Sequence, residues 1–360
     1  MISRERVLTA LNHEEPDRVP VQVDFTPEAA EKLSQHLQLQ SHTSEAYSGK
    51  VSELPLAMEH DILVAWHGIA TSYYGDDTSD TYTCEWGIGW QWVPIPGGRY
   101  TEMIHRPLAG DPASLNTWEC PDPTLPHRYD SARQLIDSHG DSHVIVGAMP
   151  CTLFEAAWYL RGLEQFLTDL LLQQDYAHAL LDKIFQFQLV TGTKLAELGV
   201  DILWLGDDFG TQQGLLLSPA TWREFFKTRY ADLIQAYRAV KPDIKIAYHS
   251  CGNIVDILPE YIDIGVDIYN AVQPASNDTA LLKQKFGNDL CFWGAIDIQH
   301  VLPYGTPAEV HAEVQTRIHD LAQGGGYIIA PAHNLQPDTP LENILALYEA
   351  TRQHGAYPLH

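Results

Sequence analysis

Short apolar runs that alternate with helical stretches predict an α/β protein built on a (β/α)8 TIM barrel. Three observations carry the prediction. From His143 onward, six runs of strand type recur between longer segments of helical periodicity, as expected for parallel strands joined by helical crossovers. Two further candidates nearer the N-terminus bring the count to eight. A length of 360 residues also lies within the range of one such barrel, so the whole chain, 1–360, is expected as a single domain. An open doubly wound sheet is the alternative. No Gly-x-Gly-x-x-Gly or Walker pattern follows any strand, so a nucleotide cofactor is not indicated.

The elements follow in order. Residues 3–12 make a short amphipathic helix, with Ser3 as cap and Val7, Leu8 and Leu11 on one face. Pro16 and Pro20 break the chain, and Arg18 to Phe25 alternates as a first strand. Thr26 is the expected cap of the next helix, with Pro27 at its first position. Residues 40–54 are polar and aperiodic, hence loop, and 61–66 is the second strand. Residues 70–110 differ in character. Thr81–Gly87, Trp90–Pro94 and Arg99–Ile104 are aromatic and β-prone, and Gly97-Gly98 is a turn signal, so a small antiparallel excursion is expected there. Its aromatic residues pack the small sheet or line a pocket. The remaining strands are 143–148, 201–206, 244–249, 267–272, 290–296 and 326–331. Helices are expected over 153–198, with breaks near Gly162 and Gln174-Asp175, and over 219–241, 254–264, 278–286, 307–323 and 340–353.

Composition narrows the partners. Lys plus Arg number 22 against 47 Asp plus Glu, a formal net charge of −25. A field of that sign repels nucleic acid and anionic membrane surfaces. It also disfavours a polyanionic substrate without a local arginine cluster. Five scattered cysteines make no disulfide framework, and a reducing cytoplasm is expected. No apolar leader or membrane-length run is present.

In a barrel the strand C-termini share one face, where active sites sit. His249 and Cys251 end the fifth strand two positions apart, so imidazole and thiolate aim at one point, a pairing that suits zinc. Gly252 allows a tight exit, and Asn253 can cap the helix that follows. His333, just past the last strand, adds a third ligand on the same rim. Three protein ligands with an open position is the pattern of a catalytic zinc site. The alternative is a pair of hydrogen-bonded histidines beside an inert thiol. Asp207 and Asp208 follow the fourth strand and are the candidate acid/base pair, with the alternative that one caps the following helix while the other touches a ligand. Neighbouring strand residues face opposite ways, so one of them at most faces the mouth. Glu155 is a further candidate metal ligand or base, with a helix-start or solvent role as the alternative. Asp24, Asn270 and Gln273 end other strands and are candidate contacts to a small substrate.

Several stretches together resemble the uroporphyrinogen decarboxylase-like superfamily over nearly the full length. They are Arg4–Leu8, Pro16–Val21, Phe154–Gly162, Gly206–Gln212, His249–Asn253 and Ala330–Asn334. The resemblance implies a (β/α)8 barrel and adds Gln212 to the expected substrate contacts. Two branches differ in chemistry. Decarboxylases carry an arginine-rich run after the first strand, where this chain reads Val23-Asp24-Phe25-Thr26-Pro27-Glu28. Cobalamin-dependent methyltransferases bind zinc through His-x-Cys and a later Cys, and His249 and Cys251 match that motif. The resemblance therefore implies a zinc-dependent methyltransferase that moves a methyl group between a small molecule and a corrinoid on a separate protein. No corrinoid-binding Asp-x-His-x-x-Gly motif occurs in the chain itself. His333 stands where those enzymes usually have cysteine. Neutral imidazole in place of thiolate makes a metal the stronger Lewis acid, which suits a methoxylated substrate. Family members are often dimers. The competing expectations are a uroporphyrinogen decarboxylase and a catalytically silent barrel that serves as a binding protein.

The missing arginines generate a prediction. A substrate with eight carboxylates needs cationic or hydrogen-bonding partners, because each one desolvated without them costs several kcal/mol. Anaerobic incubation with uroporphyrinogen, followed by chromatography, should show no useful decarboxylation. Turnover near that of an authentic decarboxylase would contradict this reading.

Overall fold

The computed structural model describes residues 1–39, 52–67 and 79–359. Seven parallel strands form one curled sheet, a half-barrel. They are β1 (Ile62–Trp66), β5 (Val144–Pro150), β6 (Ile202–Gly206), β7 (Lys245–His249), β8 (Ile268–Ala271), β9 (Cys291–Ile296) and β10 (Tyr327–Pro331), adjacent in that order. Every position of β1, β5, β6, β8, β9 and β10 is buried, so these strands read as unbroken apolar runs. Between β1 and β5 the chain makes a small antiparallel sheet of β2 (Thr81–Thr83), β3 (Gly89–Ile95) and β4 (Gly98–His105), the excursion expected near 70–110. Most of the loop expected over 40–54, and the start of that excursion, lie outside the described residues.

Alternation divides the core in two. Ile62, Val64 and Trp66 of β1, Val144, Val146 and Ala148 of β5, and Ile202 and Trp204 of β6 pack together inside the curl. Ala247, Ile268, Trp293 and Ile328 complete that layer. The alternate residues, among them Leu63, Ile145, Leu203, Ile246 and Tyr269, meet the helices on the outside. Val7 and Leu11 belong to the inner layer, so the helix Ser3–Leu11 plugs the N-terminal end of the sheet. Arg4 holds it there, donating to both carboxylate oxygens of Asp201 at 2.6 and 2.7 Å just before β6.

The helices fall where expected, with local differences. The run 153–198 divides into Phe154–Arg161, Leu163–Leu172 and Gln174–Leu198, broken at Gly162 and Gln173. The run 219–241 contains a π-helical turn at Arg223–Lys227. Two expected caps act differently. Ser3 lies inside its helix, and the Glu5 carboxylate accepts the Ile2 N–H instead. Thr26 keeps the cap position, but its hydroxyl donates to the Leu335 carbonyl in the loop after β10 and accepts no amide N–H of the helix, which Pro27 starts.

The segment expected as the first strand, 18–25, is extended but makes only isolated bridges. Val21 pairs with Ile329 and Phe25 with Leu335, both parallel. The reason is partly local and partly long-range. Pro20 has no N–H to donate, and the Val21 N–H is taken at 2.9 Å by the side chain of Asp61. That carboxylate is fully buried and also accepts Arg6 and Arg18, each at 2.7 Å. One side chain thus ties the N-terminal helix, the extended segment and the start of β1 together. Arg6 also pairs with Asp17 at 2.7 and 2.8 Å, so Asp61→Asn removes one of its two counter-charges and should destabilise the fold by about 1–3 kcal/mol, read by chemical denaturation. A loss within about 0.5 kcal/mol would show the network to be incidental.

Candidate metal centre

The parity that fills the inner layer continues past the strand ends. Ile202 and Trp204 face inward, and so does Asp208. Ala247 is followed by His249, and Ile268 by Asn270. These three side chains line a cavity of about 210 Å³ above an aromatic floor. Trp66 and Trp204 form the floor, edge to face at 5.5 Å, and Trp204 also touches the His249 ring at 5.0 Å. Asp24 and His333 join the lining from neighbouring irregular segments, and Glu155 from the first turn of the helix Phe154–Arg161.

Donor atoms of His249, Cys251 and His333 lie within 4.8 Å of one another. β7 stops at His249, so Cys251 reaches the site from the loop rather than from the strand. Backbone bonds carry it there. Ser250 N–H donates to Asn270 O at 2.8 Å, and Cys251 N–H donates to Asp208 Oδ1 at 2.7 Å. Gly252 then turns with φ +74, and a Cβ there would lie 2.6 Å from Gly210 and Thr211. Asn253 caps the next turn, as expected, by accepting the Val255 N–H.

Asn270 fixes the tautomer of His249. Its amide nitrogen donates to Trp293 O at 2.9 Å, so its oxygen faces His249 Nδ1 at 2.5 Å and Nδ1 must carry the proton. The lone pair of Nε2 is left pointing toward Cys251 Sγ and Asp208 Oδ1, each 3.6 Å away. A ligating histidine that donates its other N–H to a fixed acceptor is the usual support of a metal site. Burial pushes the His333 imidazole down to about 4, so it stands neutral with a lone pair to offer. Burial and then Asp208 hold the Cys251 thiol well above its ordinary range, and a cation at this point would reverse that balance. A tetrahedral zinc shell places its donors roughly 3.3–3.8 Å apart. The three side chains fit a divalent ion after a small closure.

The other expected residues separate. Asp207 does not reach the cavity. It is fully buried on the opposite side of the strand, where it accepts the N–H groups of Leu153 and Glu155 at 2.9 and 2.8 Å and the Tyr230 hydroxyl. Burial pushes it up to about 6 against those bonds. Its position serves the helix Phe154–Arg161, whose first amides it satisfies. Glu155 stands on the cavity wall but outside the three-donor cluster. Burial, then Asp208 and Asp207, raise its carboxyl well above the usual range. Asp24 is pushed up to about 7 by burial, partly offset by Gln22. Gln273 is buried beside the loop and accepts the Gly252 N–H at 3.0 Å. Gln212 accepts the Ser276 hydroxyl at 2.6 Å, and neither glutamine lines the cavity. The sequence reading missed Gln22, Trp66, Tyr159 and Trp204 as lining residues. Strand parity alone points to the two tryptophans. The reading left the excursion's aromatics open between packing and pocket, and β4 brings Tyr100 and Thr101 to the rim.

Comparison with known proteins follows the same lines. The sequence model of the family "Uroporphyrinogen decarboxylase (URO-D)" matches residues 79–354. A methylated-thiol–coenzyme M methyltransferase of Methanosarcina mazei is 28% identical over 205 residues, 56% of this chain and 51% of its own length. Methylcobamide:CoM methyltransferase MtaA of Methanosarcina barkeri is 26% identical over 64% of this chain and 65% of its own. A uroporphyrinogen decarboxylase of Legionella pneumophila is 21% identical over 74% of each. The chain thus spans about half to two-thirds of the length of the two methyltransferases. Among solved structures, a methyltransferase from Methanosarcina mazei shares the fold, with TM-score 0.72 and 19% identity over 98% of this chain and 99% of that one.

The role of Asn270 is testable. Asn270→Ala frees the His249 ring to turn and should weaken divalent-metal binding about 10- to 100-fold in a competition titration. An affinity within a factor of two of the parent would show that Asn270 does not orient the ligand.

Proposed function

Because this chain belongs to the uroporphyrinogen decarboxylase family, we propose that it is a metal-dependent methyltransferase of that family. It moves a methyl group between a small molecule and a corrinoid held on a separate protein. The supporting observation is the convergence of His249, Cys251 and His333 at a cavity with no lysine or arginine among its described lining residues. The cavity is also smaller than the roughly 300–1,000 Å³ of sites for drug-sized ligands, which disfavours a tetrapyrrole. The names of the two methyltransferase relatives connect them with methylated thiols, methylcobamide and coenzyme M, and the transfer reaction is carried over from them.

His249, Cys251 and His333 would hold the metal, zinc by its mixed nitrogen and sulfur donors. Bound there, it would supply a Lewis acid for a heteroatom of the small molecule. Asn270 fixes the His249 tautomer, and Asp208 braces the Cys251 loop through its amide. Glu155, whose carboxyl is raised by burial and then by Asp208 and Asp207, stands where it can give a proton to the heteroatom that loses its methyl group. Asp207 acts through Glu155 by fixing the start of its helix, and is a positioning residue. We also take the extended segment 18–25, lying along β10, as the eighth stave of the barrel.

Elemental analysis of purified protein should find about one divalent metal per chain, as the three-ligand site requires. Cys251→Ser should lose most of it while still unfolding cooperatively, because the core does not depend on that side chain. Methyl transfer from methoxylated or methylthio compounds to free reduced cobalamin, measured anaerobically by absorbance, should fall at least about 100-fold in that variant. Protein that takes up no metal, or a Cys251→Ser variant of full activity, would overturn the proposal.

A further inference from the structure

The cavity carries an electrostatic signature that the metal donors do not explain. Three carboxyl side chains line it: Asp24 near the end of the extended segment, Glu155 at a helix start and Asp208 after β6. No described lining residue is a lysine or arginine. The same space is walled by Trp66, Trp204 and Tyr159, two of them packed edge to face as its floor. Carboxyl groups placed around aromatic rings recognise one kind of small molecule, a compact cation. The rings attract it through their faces, and the carboxylates neutralise its charge. The net charge of the chain, −25, draws such a ligand in from solution and repels an anion.

We propose that the small molecule taken by this cavity is a compact cation, a methylated ammonium or sulfonium compound, and not an anionic thiol. The inference deepens the methyltransferase reading, and its substrate class rests on it. The contrast with the relatives is chemical. Coenzyme M, which appears in their names, is a thiol bearing a sulfonate. A sulfonate entering here would meet Asp24, Glu155 and Asp208 with no described cationic side chain to receive it. An ammonium or sulfonium centre would meet the carboxyl groups of Asp24, Glu155 and Asp208, whose ionised forms its charge favours, and three aromatic rings. Charge selection by Asp24, Glu155 and Asp208 works against the positive charge of a bound metal and does not need the metal. Binding of the cation should therefore survive removal of the metal.

The test compares ligands of one shape and different charge. Choline and its neutral isostere 3,3-dimethylbutan-1-ol are titrated calorimetrically into the full chain, metal-replete and after chelation, beside 2-mercaptoethanesulfonate. Choline should bind at least about tenfold tighter than the isostere in both metal states. Asp24→Asn and Glu155→Gln should each reduce that preference about threefold or more while leaving the isostere unchanged, with circular dichroism confirming the fold. The wild-type comparison needs no variant, so a misfolded mutant does not remove the test. Equal or tighter binding of the isostere, tighter binding of the sulfonate, or no binding of choline at millimolar concentration would overturn the proposal. A choline preference in protein that takes up no metal would keep the cation site and discard the metal-dependent reaction. Metal-dependent methyl transfer without a choline preference would do the reverse.

Discussion

Strand alternation is the constraint on which the rest of this structure depends. A parallel strand buried on both faces must send successive side chains to opposite layers. Once Ile202 and Trp204 fill the inside of the curl, Asp208 has to face inward and Asp207 outward. The same rule carries Ala247 to His249 and Ile268 to Asn270. The inner core and the candidate site are one continuous column of side chains, apolar below and polar at the top. The change of character occurs at the tryptophan floor.

Asp207 and Asp208 show how one peptide step divides two duties. One carboxylate goes behind the sheet and is satisfied by two helix amides and a tyrosine. The other goes to the cavity and braces the amide of Cys251. The helix that Asp207 receives carries Glu155 in its first turn, so its position behind the sheet determines what the front of the sheet presents. Asn270 acts similarly on His249. Neither residue has to touch a ligand to decide the geometry of those that do.

Much of the fold could be read in the chain because its signals are local. The apolar runs that become β5 to β10 have the length and flanking turns of buried strands, and their ends fall within about two residues of expectation. His249, Cys251 and His333 stood out because histidine and cysteine at strand ends are few, and the structure brings them together. What stayed hidden depended on partners distant in sequence. The extended segment 18–25 alternates like a strand, yet Asp61, about forty residues later, takes the N–H that a ladder would use. Gln273 looked like a rim residue by position and Gln212 entered through the resemblance, but both are held in loop hydrogen bonds outside the cavity lining. Trp66 and Trp204 read as core, and they are core on one side and floor on the other.

The small sheet of β2, β3 and β4 gives the site walls of two origins. The floor and the metal donors belong to the half-barrel, where any shift propagates through the packed inner layer. Tyr100 and Thr101 belong to a hairpin that is anchored through Trp86 and Trp90 and otherwise stands largely clear of the core. The site is therefore a vice with one fixed jaw and one replaceable jaw. Exchange of the hairpin tip would change which molecules are gripped while the reacting end stays as it is. Variation at the hairpin tip would thus reshape one wall of the candidate site and leave its floor in place.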